Sequence, residues 1–169
     1  MIYYNITKFW DNEFKHLNYI TEPFNDDANT RRWIELGFPG KFTGDMADMR
    51  GQQPSWNDLF IKYFEKEGWL DVCTSYYRMG PGTILPTHND LYIKYIDLFD
   101  LAGKEKHIRR AVVFLEDWAP GHYAEYIDSP FTQWSAGATV EWSYNESHMA
   151  ANLGVVPRYT LQITGHVDD

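Results

Sequence analysis

From residue 69 onward the chain breaks into short runs rich in Val, Ile, Thr, Tyr, Phe and Trp, each closed by a turn signal. Runs of that length and composition read as β-strands. The first covers 69–79 and ends at Gly80-Pro81-Gly82, and the second covers 83–90. Residues 91–106 read as a partly helical insertion. Further runs cover 107–115, 122–128, 139–144, 148–153 and 158–164. Turn residues separate them at 116–121, at Gly137 and at 154–157. Many short strands at close spacing predict antiparallel sheets closed into a sandwich or jelly-roll barrel, so the fold class expected is mainly β.

Residues 1–68 read as a helical entry region. A short helix fits 26–36, stopped by Gly37 and Pro39. After Pro54, the segment Ser55-Trp-Asn-Asp58 resembles a capping-box start. Trp56, Leu59, Phe60, Tyr63 and Phe64 then recur at helical spacing, and Gly68 can end the helix. Such a helix is expected to buttress a sheet with its apolar face.

At 169 residues the whole chain is expected to form one domain, with 69–165 as its strand-rich core. Aromatic residues make up 17%, which suits a large aromatic core. The formal net charge of −9 argues against nucleic-acid binding. Cys73 is the only cysteine, so no internal disulfide forms. No signal-like start and no membrane-length apolar run is read, so a cytoplasmic location without membrane contact is expected.

One set of residues carries chemistry. His88-Asn-Asp90 places two metal-capable side chains at i and i+2, which share one face of a strand. His148 follows downstream, and Ala150 and Asn152 share its strand face. Arg158 and Thr160 share a face of the next strand. Two histidines and a carboxylate with open positions form the ligand set of non-haem Fe(II) oxygenases. An arginine buried in a barrel is costly unless it meets an anion, and a hydroxyl two residues on completes a carboxylate clamp. His166-Val-Asp168 repeats the His-x-Asp spacing, but no histidine follows it, and it reads as a solvated terminus.

The ordered pattern resembles the Fe(II)/2-oxoglutarate-dependent oxygenase superfamily. His148-x-x-x-Asn152 followed by Arg158 is similar to the aspartyl/asparaginyl β-hydroxylase and prolyl hydroxylase branches. So is the approach to His88, from Tyr77-Arg-Met-Gly-Pro-Gly onward. The resemblance covers about 69–165. It implies a double-stranded β-helix, the jelly roll shared with cupins, with N-terminal buttressing helices. It also implies Fe(II) on His88, Asp90 and His148, and 2-oxoglutarate anchored by Arg158 and Thr160. Tyr77 stands near a position that hydrogen-bonds the cosubstrate, and Arg110 and Asn152 are further candidate contacts. The reaction implied uses O2, hydroxylates an unactivated C–H bond, and releases succinate and CO2, with ascorbate as an activator in vitro. The substrate implied is a peptide or protein side chain of Asp/Asn or Pro type, or a small molecule such as a free amino acid.

The sequence departs from the family in the 91–106 insertion and in Phe114, which occupies the place nearest a tyrosine expected in the third strand. Other readings stay open. The same barrel can be a cupin-like metal or small-ligand binding protein without oxidation, or an interaction protein. Tyr77 can be a core aromatic, Arg110 a surface cation and Asn152 a backbone-satisfying residue. Trp134 and Trp142 read as core. The insertion and the loop at 37–55 are candidate substrate lids.

Overall fold

Gly68, at φ +86°, ends the helix after Pro54 and turns the chain directly into its first long strand. In a computed structural model that describes residues 1–168, eleven strands and three α-helices follow one another. The N-terminal third supplies β1 (Ile2–Asn5), β2 (Tyr19–Thr21), α1 (Asp27–Glu35), β3 (Asp45–Ala47) and α2 (Asn57–Lys66). Next come β4 (Leu70–Met79), β5 (Thr83–His88), α3 (Ile93–Phe99), β6 (Ile108–Phe114) and β7 (His122–Tyr126). The chain ends with β8 (Ser129–Phe131), β9 (Ala138–Ser143), β10 (His148–Asn152) and β11 (Arg158–His166).

The strands form two antiparallel sheets. The larger has the order β1-β9-β6-β11-β4-β3-β2, and the smaller β5-β10-β7-β8. From β4 onward successive strands alternate between the sheets, except for the β7–β8 hairpin within the smaller one, which is the winding of a double-stranded β-helix with helices on the outside. The expected mainly β jelly roll is therefore the observed fold. No helix among the described residues is long and apolar enough to cross a membrane.

Strand parity sorts the residues of the larger sheet. On β11, Tyr159, Leu161 and Ile163 face outward into a core with Phe14, Trp56, Phe60 and Phe64. Arg158, Thr160, Gln162 and Thr164 alternate with them and line the barrel interior. Tyr76 and Tyr77 divide in the same way, the first toward α2 and the second into the cavity. The apolar face thus lies under the helices and the polar face inside the barrel. A second apolar cluster, with Phe114, Tyr126, Trp134, Val140 and Trp142, closes the space between the sheets.

Several expectations need correction. The first 68 residues supply strands as well as helices, and β1 and β3 pair with β9 and β4. Strands of three and four residues are too short to show a period of two. The capping box at Ser55 does not form. Trp56 is the cap residue without a capping side-chain bond, and Ser55 gives its N–H and its hydroxyl to Glu13 at 2.8 and 2.6 Å. A carboxylate from a distant turn has outcompeted the local partner. The run at 122–128 is a hairpin, in which Ile127 and Asp128 turn with φ +49° and +60° into β8. His166 is the last residue of β11, paired with Leu70 and Ile108 rather than solvated at a tail. Central placement of β11 between β4 and β6 keeps its end ordered.

Candidate metal centre

Two strands of the smaller sheet bring the histidines together. His148, at the start of β10, is the register partner of His88, at the end of β5. Directly opposed residues in an antiparallel pair have touching side chains, and the two rings lie 4.4 Å apart. A register shift between His148 and Ala150 bends β10 at this point, a device that re-aims side chains. Strand β5 stops at His88, so Asp90 is reached by the loop beyond it. Asn89 faces away and donates to the Asn145 carbonyl and amide oxygens at 2.9 and 2.8 Å, which pins that loop.

Both imidazoles present Nε2 to the same carboxylate. His88 Nε2 lies 3.7 Å from Asp90 Oδ1, and His148 Nε2 lies 3.7 Å from Asp90 Oδ2. Their Nδ1 atoms are held by backbone carbonyls, His88 on Pro86 at 2.8 Å and His148 on Glu146 at 3.2 Å. A carbonyl only accepts, so Nδ1 carries the proton and Nε2 keeps a lone pair for a metal. One ligand atom from each of His88, Asp90 and His148 falls within 4.8 Å of the others, and the cluster could hold a metal ion. Two neutral nitrogens and one anionic oxygen suit a divalent transition metal.

Electrostatics favour ligation. Burial would raise the Asp90 carboxyl, but Arg110, His88 and His148 hold it well below the usual carboxylate range. Burial pushes the His148 imidazole down to about 4, against the opposing pull of Asp90. The imidazole is thus neutral at neutral pH, the form that binds metal. A depressed histidine contributes stability that is present above its unfolded value of 6.5 and lost as pH falls through about 4. Metal-free protein is therefore expected to lose roughly 3 kcal/mol over that window from this group. Urea unfolding at pH 7 and pH 4.5 checks it: the His148→Gln protein should lose clearly less than the parent. An equal loss in both would refute the assignment.

A cavity of about 340 Å³ contains the cluster and extends along the barrel. Arg158, Thr160, Tyr77 and Arg110 all line it, but Asn152 does not. Arg158 is only 6% exposed. It donates from Nη1 to the Tyr123 carbonyl at 2.9 Å, while its Nε has no partner. Phe114 packs against Trp134 with ring centroids 4.0 Å apart, and the Arg158 guanidinium lies 5.9 Å from its centroid. Tyr77 presents its ring to the cavity. Its hydroxyl is engaged by the Gly44 N–H and by Thr43 Oγ1 at 2.9 Å. Arg110 does not face outside solvent as a surface cation: its Nε lies 3.5 Å from Asp90 Oδ2, and its Nη1 donates to Gln162 Oε1 at 3.2 Å.

Asn152, read both as a candidate cosubstrate contact and as a backbone-satisfying residue, is turned to the backbone. Its amide donates to the Met79 and Val156 carbonyls at 2.8 Å each, and its oxygen accepts from Gly154 N at 3.0 Å. It ties the β10–β11 turn to the end of β4. Of the proposed lids, Thr43 and Met46 come from the early loop and 91–95 from the insertion, and all line the cavity.

Sequence reasoning missed Tyr92, Tyr126, Trp142 and Gln162, which also line the cavity. Trp142 reads as core in the sequence, yet its ring lies 4.8 Å from that of His148. The signal was its pairing with Arg110 across β6 and β9, which is visible only once the register is known.

No family model matches the sequence, and no curated protein matches it. The fold is similar to that of solved structures. A prolyl-4-hydroxylase from Pseudomonas putida aligns with a TM-score of 0.56 at 16% identity, over 84% of each chain. A predicted oxalate decarboxylase from Thermotoga maritima gives 0.43 at 13% identity, over 73% of this chain and 80% of that one. An uncharacterized double-stranded β-helix protein from Klebsiella pneumoniae gives 0.40 at 13%, over 58% and 70%. At these identities the likeness is one of fold.

Proposed function

We propose that the protein is an Fe(II)- and 2-oxoglutarate-dependent dioxygenase that hydroxylates a C–H bond of an amino-acid side chain, in a peptide or protein or as the free amino acid. The observation that carries this reading is Arg158: a guanidinium 6% exposed, with an unpartnered Nε, in the same cavity as a converging His-Asp-His cluster. A buried cation without a carboxylate beside it is costly, and an incoming dicarboxylate removes that cost. A metal-binding barrel that takes no acid has no use for such a group.

Fe(II), held by His88, Asp90 and His148, supplies with O2 and 2-oxoglutarate the oxidising power for hydroxylation, releasing succinate and CO2. The chain supplies the rest. Arg158 and Thr160 hold the far carboxylate, which fixes the orientation of the cosubstrate. Tyr126 and Trp142 keep the centre dry. The Pro86 and Glu146 carbonyls stop the imidazoles from rotating.

The test is thermal melting under anaerobic conditions. Protein loaded with Fe(II) should melt about 5 °C or more higher when 2-oxoglutarate is added at about a hundred times its Kd. Metal that raises the melting point with no further effect of 2-oxoglutarate would instead mark a cupin-like metal-binding protein.

A further inference from the structure

Four side-chain polar atoms that line the cavity are buried without a hydrogen-bond partner: Arg110 Nε, Arg158 Nε, Trp142 Nε1 and Tyr92 Oη. The two arginine nitrogens and the indole nitrogen can only donate, and the phenol can donate too. The other buried atoms in that condition among the described residues, Gln53 Oε1, Glu146 Oε2 and His122 Nδ1, lie outside the cavity. Natively buried donors are almost always satisfied, so a wall of spare donors points to a ligand rich in acceptors.

Arg158 finds its acceptor in the cosubstrate. The other three gather beside the metal cluster: Arg110 at Asp90, Trp142 at His148, and Tyr92 under the Arg110 guanidinium. Trp142 and Tyr92 are 4% and 7% exposed, and the Arg110 side chain is 15% exposed. Trp142 packs on His148, and the Arg110 guanidinium lies 5.0 Å from the centroid of the Tyr92 ring. At 3.5 Å from Asp90, Arg110 Nε makes an ion pair without a well-formed hydrogen bond. Tyr92 adopts a left-handed backbone at φ +52°, a strained state for a non-glycine residue, and such strain concentrates at ligand sites.

Charge points the same way. Arg110 and Arg158 both line the cavity, but of the two only Arg110 has a carboxylate beside it, Asp90. A divalent metal and a dianionic cosubstrate cancel each other, so one positive charge stays unbalanced in the loaded site. A buried charge in that condition calls for an anion. The volume is near the lower end for organic ligands. Beside 2-oxoglutarate it therefore admits a group of amino-acid size.

We propose that the substrate is an acid whose carboxylate accepts from Trp142 Nε1, Tyr92 Oη and Arg110, with Trp142 a specificity-determining residue. This rests on the reading of Arg158 as the 2-oxoglutarate anchor. The carboxylate belongs either to a free acid or to an acidic side chain of a peptide.

The test uses protein loaded with Zn(II) and 2-oxoglutarate, with ¹⁵N-labelled tryptophan. The probes are propionate and acetyl-aspartyl amide, each beside its neutral counterpart, propionamide or acetyl-asparaginyl amide, and inorganic phosphate. At least one carboxylate should bind roughly tenfold or more tighter than its amide. It should also move the Trp142 indole N–H resonance, assigned by Trp142→Phe, downfield. In Arg110→Met the preference of acid over amide should fall to about one. If that variant does not fold, Arg110→Lys should reduce the preference severalfold, because a point charge replaces a fork. Propionate binding alone identifies a free acid, and acetyl-aspartyl amide binding alone a peptide side chain; either supports the proposal. Equal binding of acids and amides, binding of phosphate alone, or a stationary Trp142 resonance overturns it. So does an acid preference that survives in Arg110→Met. Loss of this preference with 2-oxoglutarate still bound leaves the function reading intact, whereas no 2-oxoglutarate binding overturns both.

Discussion

Purified His148→Ala protein, supplied with Fe(II), ascorbate and 2-oxoglutarate in air, is expected to release succinate at about a hundredth of the parent rate or less. His148 supplies one of only two nitrogen donors in the cluster. Its neighbours show that the site spends interactions on aiming it. Nδ1 is tied to the Glu146 carbonyl, and the ring packs between Trp142 and Tyr126 at 4.8 and 6.3 Å. Disturbing groups that merely orient a ligand already costs about 10–100-fold in metal affinity or activity, so deleting the ligand costs more. Alanine also leaves a cavity beside Trp142, so His148→Gln, which fills the space, separates a packing loss from a ligand loss. Both variants should fail, with bound metal measured on the same samples. Undiminished succinate release in either would remove His148 from the centre and with it the oxygenase reading.

Arg158→Met is expected to raise the KM for 2-oxoglutarate by about 10–100-fold. The size follows from a charge-assisted pair in a dry site, about 1.5–3 kcal/mol. The effect should concentrate in KM, because the group acts on the end of the cosubstrate remote from the metal. Lysine at the same place should recover only part of the loss, since it cannot present two parallel N–H groups. The Tyr123 carbonyl, which accepts from Arg158 Nη1, loses a donor in the methionine variant. A thermal melt therefore accompanies the kinetics, so that a destabilised β7 is not taken for a weakened anchor. A KM unchanged by Arg158→Met would show that the cosubstrate, if bound, is held elsewhere.

The jelly roll was legible in the sequence because its central strands are long enough to carry a pattern and are separated by Gly- and Pro-rich turns. Every strand from β4 onward except the three-residue β8 was anticipated to within a few residues at each end. What escaped was short or at an edge: β1, β2, β3 and β8 run for three or four residues each. The capping of α2 escaped for a different reason, since Glu13 reaches Ser55 across 42 positions of sequence. Local rules cannot see a competitor that folding delivers from elsewhere.

The cluster was legible for the same reason as the strands. His88, Asp90, His148, Arg158 and Thr160 are types that apolar interiors exclude unless they are partnered, and strand order gave the faces of all but Asp90, which lies in the loop after β5. Asn152 shows the limit. It shares a strand with His148, but the turn at Gly154 bends β10 into β11 and leaves backbone groups that only its amide satisfies. Parity assigns a face, not a partner.

Residue types and their period of two therefore determined which side chains enter the barrel. The tertiary structure decided what they meet there. The pairing of His148 with His88, of Arg110 with Asp90 and of Trp142 with the cavity depends on strand register between segments 20 to 60 residues apart. A register slip of one residue would send every one of these groups to the opposite face. On the larger sheet that register is backed by the buried outward face, where Tyr76, Leu161 and Ile163 share a core with Phe60 and Phe64 of α2.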